Sequence, residues 1–289
     1  AIGRERKLWL STQLVQAGMD RAKHWGWPNT YTYTKSLGEQ VLAQTQGLRY
    51  AIVRPSIVES ALQFPFPGWN EGFTTSAPLI YALIKGQGAV PAGDKAVLDI
   101  IPVDMVAGAL IAITAQQLRA NERRVYQLAS GDSAPFVASR SVELVGLYKR
   151  RRFRNKEAGN RFVNKLRSRI EPQAVTKVAF DRLSSPLVAR GSEWLKEAIS
   201  THGPKWVAPK VSAMLEKTVD KLDAVSDQSE SVNNIASLFL PFLWENRFIF
   251  RCDNVRQLYA EIDEGDRRRI QWGPESIDWR TYFIETHIP

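Results

Sequence analysis

Tyr31 and Lys35 stand four residues apart in the segment Trp27-Pro28-Asn29-Thr30-Tyr31-Thr32-Tyr33-Thr34-Lys35-Ser36-Leu37-Gly38. On a helix that spacing puts both side chains on one face, one turn apart. A phenol beside an ammonium is a device for protonating a carbonyl oxygen. The cation favours the phenolate left behind, and its spare donors can reach a sugar hydroxyl. The pair therefore suits carbonyl reduction by a nicotinamide cofactor, where hydride arrives at carbon and a proton must reach oxygen.

The spacing alone is common, and Tyr81 and Lys85 repeat it. Context separates the two. Pro28 and Asn29 supply a turn and a helix start before Tyr31, and Ser36 to Gln44 continues with good helix formers. The run from Leu48 to Val58, containing Arg54-Pro55-Ser56-Ile57-Val58, then reads as a strand buried on both faces. Helix into buried strand is half of an α/β crossover unit. Ligands of such sheets sit beyond the carboxyl ends of strands, where Pro55 and Ser56 fall. Tyr81 and Lys85 lie between Pro78 and the Gly86-Gln87-Gly88 turn, and read as a core tyrosine with an exposed lysine.

The elements that must position the pair belong to a chain of 289 residues, 44% apolar and 24% charged, the balance of a globular protein with room for one large core or two modest ones. One cysteine, Cys252, rules out an internal disulfide and is compatible with a reducing cytoplasm. No stretch reaches the roughly 18 apolar residues of a membrane span. No Gly-x-Gly-x-x-Gly turn is present to cradle a pyrophosphate, and a Tyr-Lys pair belongs late in a Rossmann-like sheet. The expectation is therefore that the opening βαβ units lie upstream of residue 1.

Further along, a helix is expected over 76–85. Asp104 should cap an apolar helix from Met105 to Ala115, and Val125 to Ala129 reads as a short strand. Gly131-Asp132-Ser133 marks a change in composition and the expected domain boundary. Residues 149–169 hold ten Lys or Arg against Glu157 alone, a net +9 that equals the charge of the whole chain. Such a cluster is either a solvated face or a surface for phosphates or anionic membrane. It lacks the motifs of a nucleic-acid binder. Residues 172–235 read as helical with a polar linker at 226–234. His287 reads as a structural residue, with general-base chemistry as the alternative.

Taken together, these residues resemble a fatty acyl-CoA reductase of the male-sterility type, in the extended short-chain dehydrogenase/reductase superfamily. The stretches that carry the resemblance are 27–38, Arg54 to Val58, Pro65-Phe66-Pro67-Gly68-Trp69 with Glu71-Gly72, and Ile101 to Asp104. At the C-terminus they are Pro241-Phe242-Leu243, Ile277-Asp278-Trp279, Tyr282-Phe283 and His287-Ile288-Pro289. The resemblance implies an α/β fold: the C-terminal part of a Rossmann-like parallel sheet domain over 1–130, then a smaller, mainly helical domain over 131–289. It implies Tyr31 as proton donor, Lys35 holding the nicotinamide ribose, and Pro55, Ser56, Ile57 and Val58 lining the nicotinamide end. It further implies NADPH as cofactor, long-chain acyl-CoA as substrate, fatty alcohol or aldehyde as product, and no metal. Ser11 lies in a helical pattern and takes no role. A cytoplasmic protein with peripheral membrane contact through 149–169 is expected. A carrier-protein thioester reductase and a non-catalytic membrane- or phosphate-binding module stay open as alternatives.

Overall fold

The computed structural model describes residues 2–72, 75–85, 89–120, 122–155, 168–169, 171–184, 243–244 and 248–289. The turn at 86–88, the polar stretch at 226–234 and Lys156, Arg161, Lys165 and Arg167 of the basic segment lie outside the described residues. Two units make up the chain, Ala1–Ile52 with Thr114–Val125 and Val53–Ile113 with Tyr126–Pro289. Its parallel strand pairs and many helices make the fold mixed α/β, as the sequence implies. Among the described residues no helix is long and apolar enough to cross a membrane.

In the first unit, α1 (Ile2–His24) carries Glu5 in its first turn and Arg21, Lys23 and His24 in its last, the charge order a helix dipole favours. It ends because Gly26 takes φ 78°, open to glycine at no steric cost. Gly26 N then donates to Lys23 O and Trp27 N to Ala22 O, each at 2.9 Å, closing a Schellman motif. Three residues later α2 (Thr30–Gln44) begins at Asn29, whose side chain accepts from Thr32 N at 2.9 Å. The helix start expected before Tyr31 is therefore present. Both helices expose apolar side chains, among them Leu10, Leu14, Leu37 and Val41.

The run from Leu48 to Val58 does not form one strand buried on both faces. It breaks into β1 (Ile52–Pro55), half-buried to exposed, and β2 (Ile57–Glu59). Proline has no N–H for a ladder, so the chain changes partner at Pro55. Ser56 N donates to Leu128 O at 2.9 Å beside β5 (Val125–Leu128), and Ile57 N donates to Asp99 O at 3.0 Å. β2 then runs parallel to β4 (Ile100–Pro102), with Ile57 opposite Ile100 and Glu59 opposite Pro102.

In the second unit α3 (Ala77–Lys85) spans the expected helix, followed by β3 (Ala89–Pro91). β3 pairs in parallel with β6 (Gln173–Val175), which leads into α6 (Lys177–Ser184). α4 (Val103–Ala120) starts one residue before Asp104 and so is not capped by it. The Asp104 carboxylate instead accepts from Leu62, Gln63 and Phe64 N at 2.8 to 3.1 Å, because those loop amides reach it first. α5 (Ala138–Arg154), α7 (Asp253–Glu261) and α8 (Glu264–Arg269) follow. A short α9 (Trp279–Thr281) then runs into a π-helical turn, Tyr282–His287.

The core gathers Leu83, Ile100, Ile101, Leu128, Val142, Leu144, Val145, Tyr282 and Phe283. Burying each contributes about 1.5–3 kcal/mol. The C-terminal aromatics pack against the segment that leads into α5. Phe136 stacks on Trp279 with centroids 4.9 Å apart and on Phe283 at 4.8 Å, and Trp279 Nε1 donates to Ala134 O at 3.0 Å.

Candidate functional site

Tyr31 is the second residue of α2 and Lys35 lies one turn further on. The Lys35 ammonium stands 5.7 Å from the centre of the Tyr31 ring. Tyr31 is 69% exposed, so its hydroxyl is open to a ligand. Capping by Asn29 fixes the turn that carries Tyr31, and the backbone carbonyl of Tyr31 accepts from Thr34 Oγ1 at 3.0 Å. Tyr81, half exposed, lies on α3 in the second unit.

Pro55, Ser56, Ile57 and Val58 lie together in the second unit at the switch between β1 and β2, Pro55 exposed and the other three half-buried. Beside them the Asp99 carboxylate, 2% exposed, accepts from Ser130 N at 2.9 Å and Gly131 N at 3.1 Å. Burial raises its pKa and these hydrogen bonds pull it back down. A Cβ at Gly131 would lie 2.6 Å from Asp99 Oδ2, so glycine is what permits the approach.

After β2 comes a cluster of which the sequence shows only His287. His287 Nδ1 lies 2.9 Å from Ser60 Oγ, and Nε2 lies 3.1 Å from Ser76 Oγ. Glu59 Oε1 accepts from Ser76 N at 3.1 Å, and Tyr282 Oη donates to Ser60 O at 2.6 Å. Glu59 Oε2 and His287 Nε2 are 3.8 Å apart. Burial holds the imidazole down to about 4, so at neutral pH this contact is no ion pair. Burial pushes the Glu59 carboxyl up to about 7, against the opposing Ser76 hydrogen bonds. Both ring nitrogens are engaged and the ring stacks on Tyr282, which makes His287 a structural tie. An acid closing an apolar strand is the signal by which Glu59 is recognisable.

The second unit also holds a pocket of about 730 Å³. Loop residues after β2, the first three turns of α4 and Arg269 to Gln271 line it. Among the described residues no group of His, Cys, Asp and Glu is arranged to hold a metal. The basic segment is partly internal. Lys149 is 2% exposed and donates to Leu83 O at 3.2 Å, and Arg150 pairs with Glu171 at 2.9 Å. Cys252 is buried, and its thiol is pushed up to about 12 by burial and by Asp132.

Residues 5–110 match the family described as Male sterility protein. The chain is 30% identical to the alcohol-forming fatty acyl-CoA reductase of Simmondsia chinensis over 97% of its length and 55% of that protein. It is 31% identical to fatty acyl-CoA reductase 8 of Arabidopsis thaliana over 96% of its length and 54% of that protein. Over 38% of its length, and 22% of the relative, it is 44% identical to fatty acyl-CoA reductase 2 of Homo sapiens. The chain thus spans about half the length of the first two of these relatives.

Proposed function

Because the chain belongs to the fatty acyl-CoA reductase family, we propose that it serves the NADPH-dependent reduction of a long-chain fatty acyl-CoA to the alcohol or aldehyde, with Tyr31 as proton donor. The observation that carries this reading is the exposed Tyr31 phenol beside the Lys35 ammonium on the first turns of a capped helix.

Tyr31 and Lys35 offer the phenol and cation that the nicotinamide end of a dinucleotide needs, and residues 55–58 of the second unit offer a strand end of mixed apolar and hydroxyl character. The sequence holds no glycine-rich turn for the pyrophosphate. When bound, the reduced nicotinamide supplies hydride to the acyl carbon. Tyr31 gives its proton to the carbonyl oxygen as negative charge develops there, and the coenzyme A thiol then departs from the same carbon to leave the aldehyde, whose reduction to alcohol repeats the step. Lys35 stabilises the phenolate that remains and offers its other donors to the ribose hydroxyls. Pro55 to Val58 provide a wall against the nicotinamide ring. Residues 1–130 form the reductase part in this reading, and 131–289 the mainly helical part.

NADPH oxidation with palmitoyl-CoA by the full-length protein, beside its Tyr31→Phe variant, tests the assignment. Removing a general acid costs about 10²- to 10⁴-fold in turnover. A variant that turns over at the unsubstituted rate would sink it.

A further inference from the structure

The pocket of about 730 Å³ falls within the range of about 300–1,000 Å³ of small-molecule sites. Its place in the fold is informative. One wall is the loop that follows β2 and another is the start of α4, which follows β4 directly. These two strands are a parallel pair, so the pocket lies beyond their carboxyl ends, where open parallel sheets take their ligands.

Its lining is chiefly hydrocarbon and aromatic, with Leu62, Phe64 and Trp69 from the loop and Met105, Ala107 and Ile111 from α4. Asp104 also faces it, but three loop amides already satisfy that carboxylate. The other full charge is Arg269, exposed at the end of α8. Arg267 and Arg268 pair with Glu264, whereas Arg269 makes no ion pair among the described residues. An apolar pocket with a free guanidinium at its rim fits a long hydrocarbon chain carrying an anionic head.

We infer that this pocket receives the acyl chain of the thioester, with Arg269 meeting the phosphates of the coenzyme A part. Ala107 and Ile111, one turn apart on α4, set the chain length it accepts. The inference rests on the acyl-CoA reading above and adds to it the place of the chain. The loop wall is tied at two points. Asp104 binds its first turn, and a Cβ on Gly68 would lie 2.6 Å from Thr286 O.

Calorimetric titration of the full-length protein with palmitoyl-CoA and octanoyl-CoA, without NADPH, tests this. Each methylene buried is worth about fourfold in affinity. The unsubstituted protein is therefore expected to favour palmitoyl-CoA by at least about tenfold. Ala107→Trp fills the pocket from an exposed helix position and abolishes that preference. Ile111→Phe, also at an exposed position, reduces it and covers the case in which the tryptophan disturbs folding. Arg269→Gln weakens both thioesters about equally. A preference unchanged in well-folded Ala107→Trp and Ile111→Phe overturns the inference. So does a loss confined to binding of phosphatidylcholine vesicles, which would make the face a membrane contact. Chain-selective binding without NADPH oxidation would instead leave the pocket standing and remove the reductase reading.

Discussion

Glu59 shows what burial does to a single side chain. Its carboxyl is fully enclosed, and loss of water outweighs the Ser76 hydrogen bonds, so it keeps its proton up to about pH 7. The unfolded chain releases that proton near the ordinary value of 4.5. The folded state therefore binds the extra proton, and stability falls as pH rises from about 4.5 to 7, by up to about 1.4 kcal/mol per unit. Glu59→Gln removes this loss. Its melting temperature relative to the unsubstituted protein should climb across that window and level off above it. His287, held down to about 4, works in the opposite sense between about 4 and 6.5. It is common to both proteins, so the difference between their melts isolates Glu59. Parallel melts at about pH 5 and about pH 8 that track each other would refute this account. Tyr31 and Lys35 are legible in the sequence because one helix joins them. The grouping of Glu59, Ser76 and His287 is not, since His287 lies 211 residues from Ser76 and 227 from Ser60.

At the scale of elements, Asp104 shows how a capping residue serves a segment other than its own helix. A residue of that type before an apolar helix reads as its cap, yet α4 begins at Val103 and the carboxylate faces the loop after β2. Asp104→Ala leaves three loop amides without their acceptor, at an expected cost of about 1–3 kcal/mol. Limited proteolysis should then cut within residues 62–69 faster than in the unsubstituted protein. An equal cutting rate would show that other contacts hold the loop. Local signals served well where they act locally, as at Asn29 and Gly26 on either side of the corner before Tyr31. They failed at Pro55, where the apolar run is continuous but the lost donor lets the chain change strand partners.

Across the whole molecule, the net charge of +9 suggested a surface device, but part of the basic segment is structural. Lys149 ends inside the core and Arg150 in an ion pair, because α5 turns that face inward against the residues around α3 and β6. Burial of a lysine ammonium is invisible to a count of charges. Cys252 offers a probe of the second unit as a whole. It is the chain's one cysteine, is buried, and has a thiol held near 12. Its reaction with a thiol reagent at about pH 8 should be slow in the native protein and complete in denaturant, at a rate following unfolding of that unit. Fast native labelling would contradict the packing of Cys252 against Ala129 and Asp132.

The tie between the loop after β2 and the C-terminal turn also governs how such proteins can be recombined. Gly68 has φ 87° and leaves no room for a side chain against Thr286 O, while Ser60 and Ser76 both reach His287. The two segments are far apart in sequence but share one set of steric and hydrogen-bonding constraints. A chimera that takes residues 59–76 from one relative and 279–287 from another inherits a mismatched pair. Crossovers that exchange both segments together keep the lock and its key from the same parent.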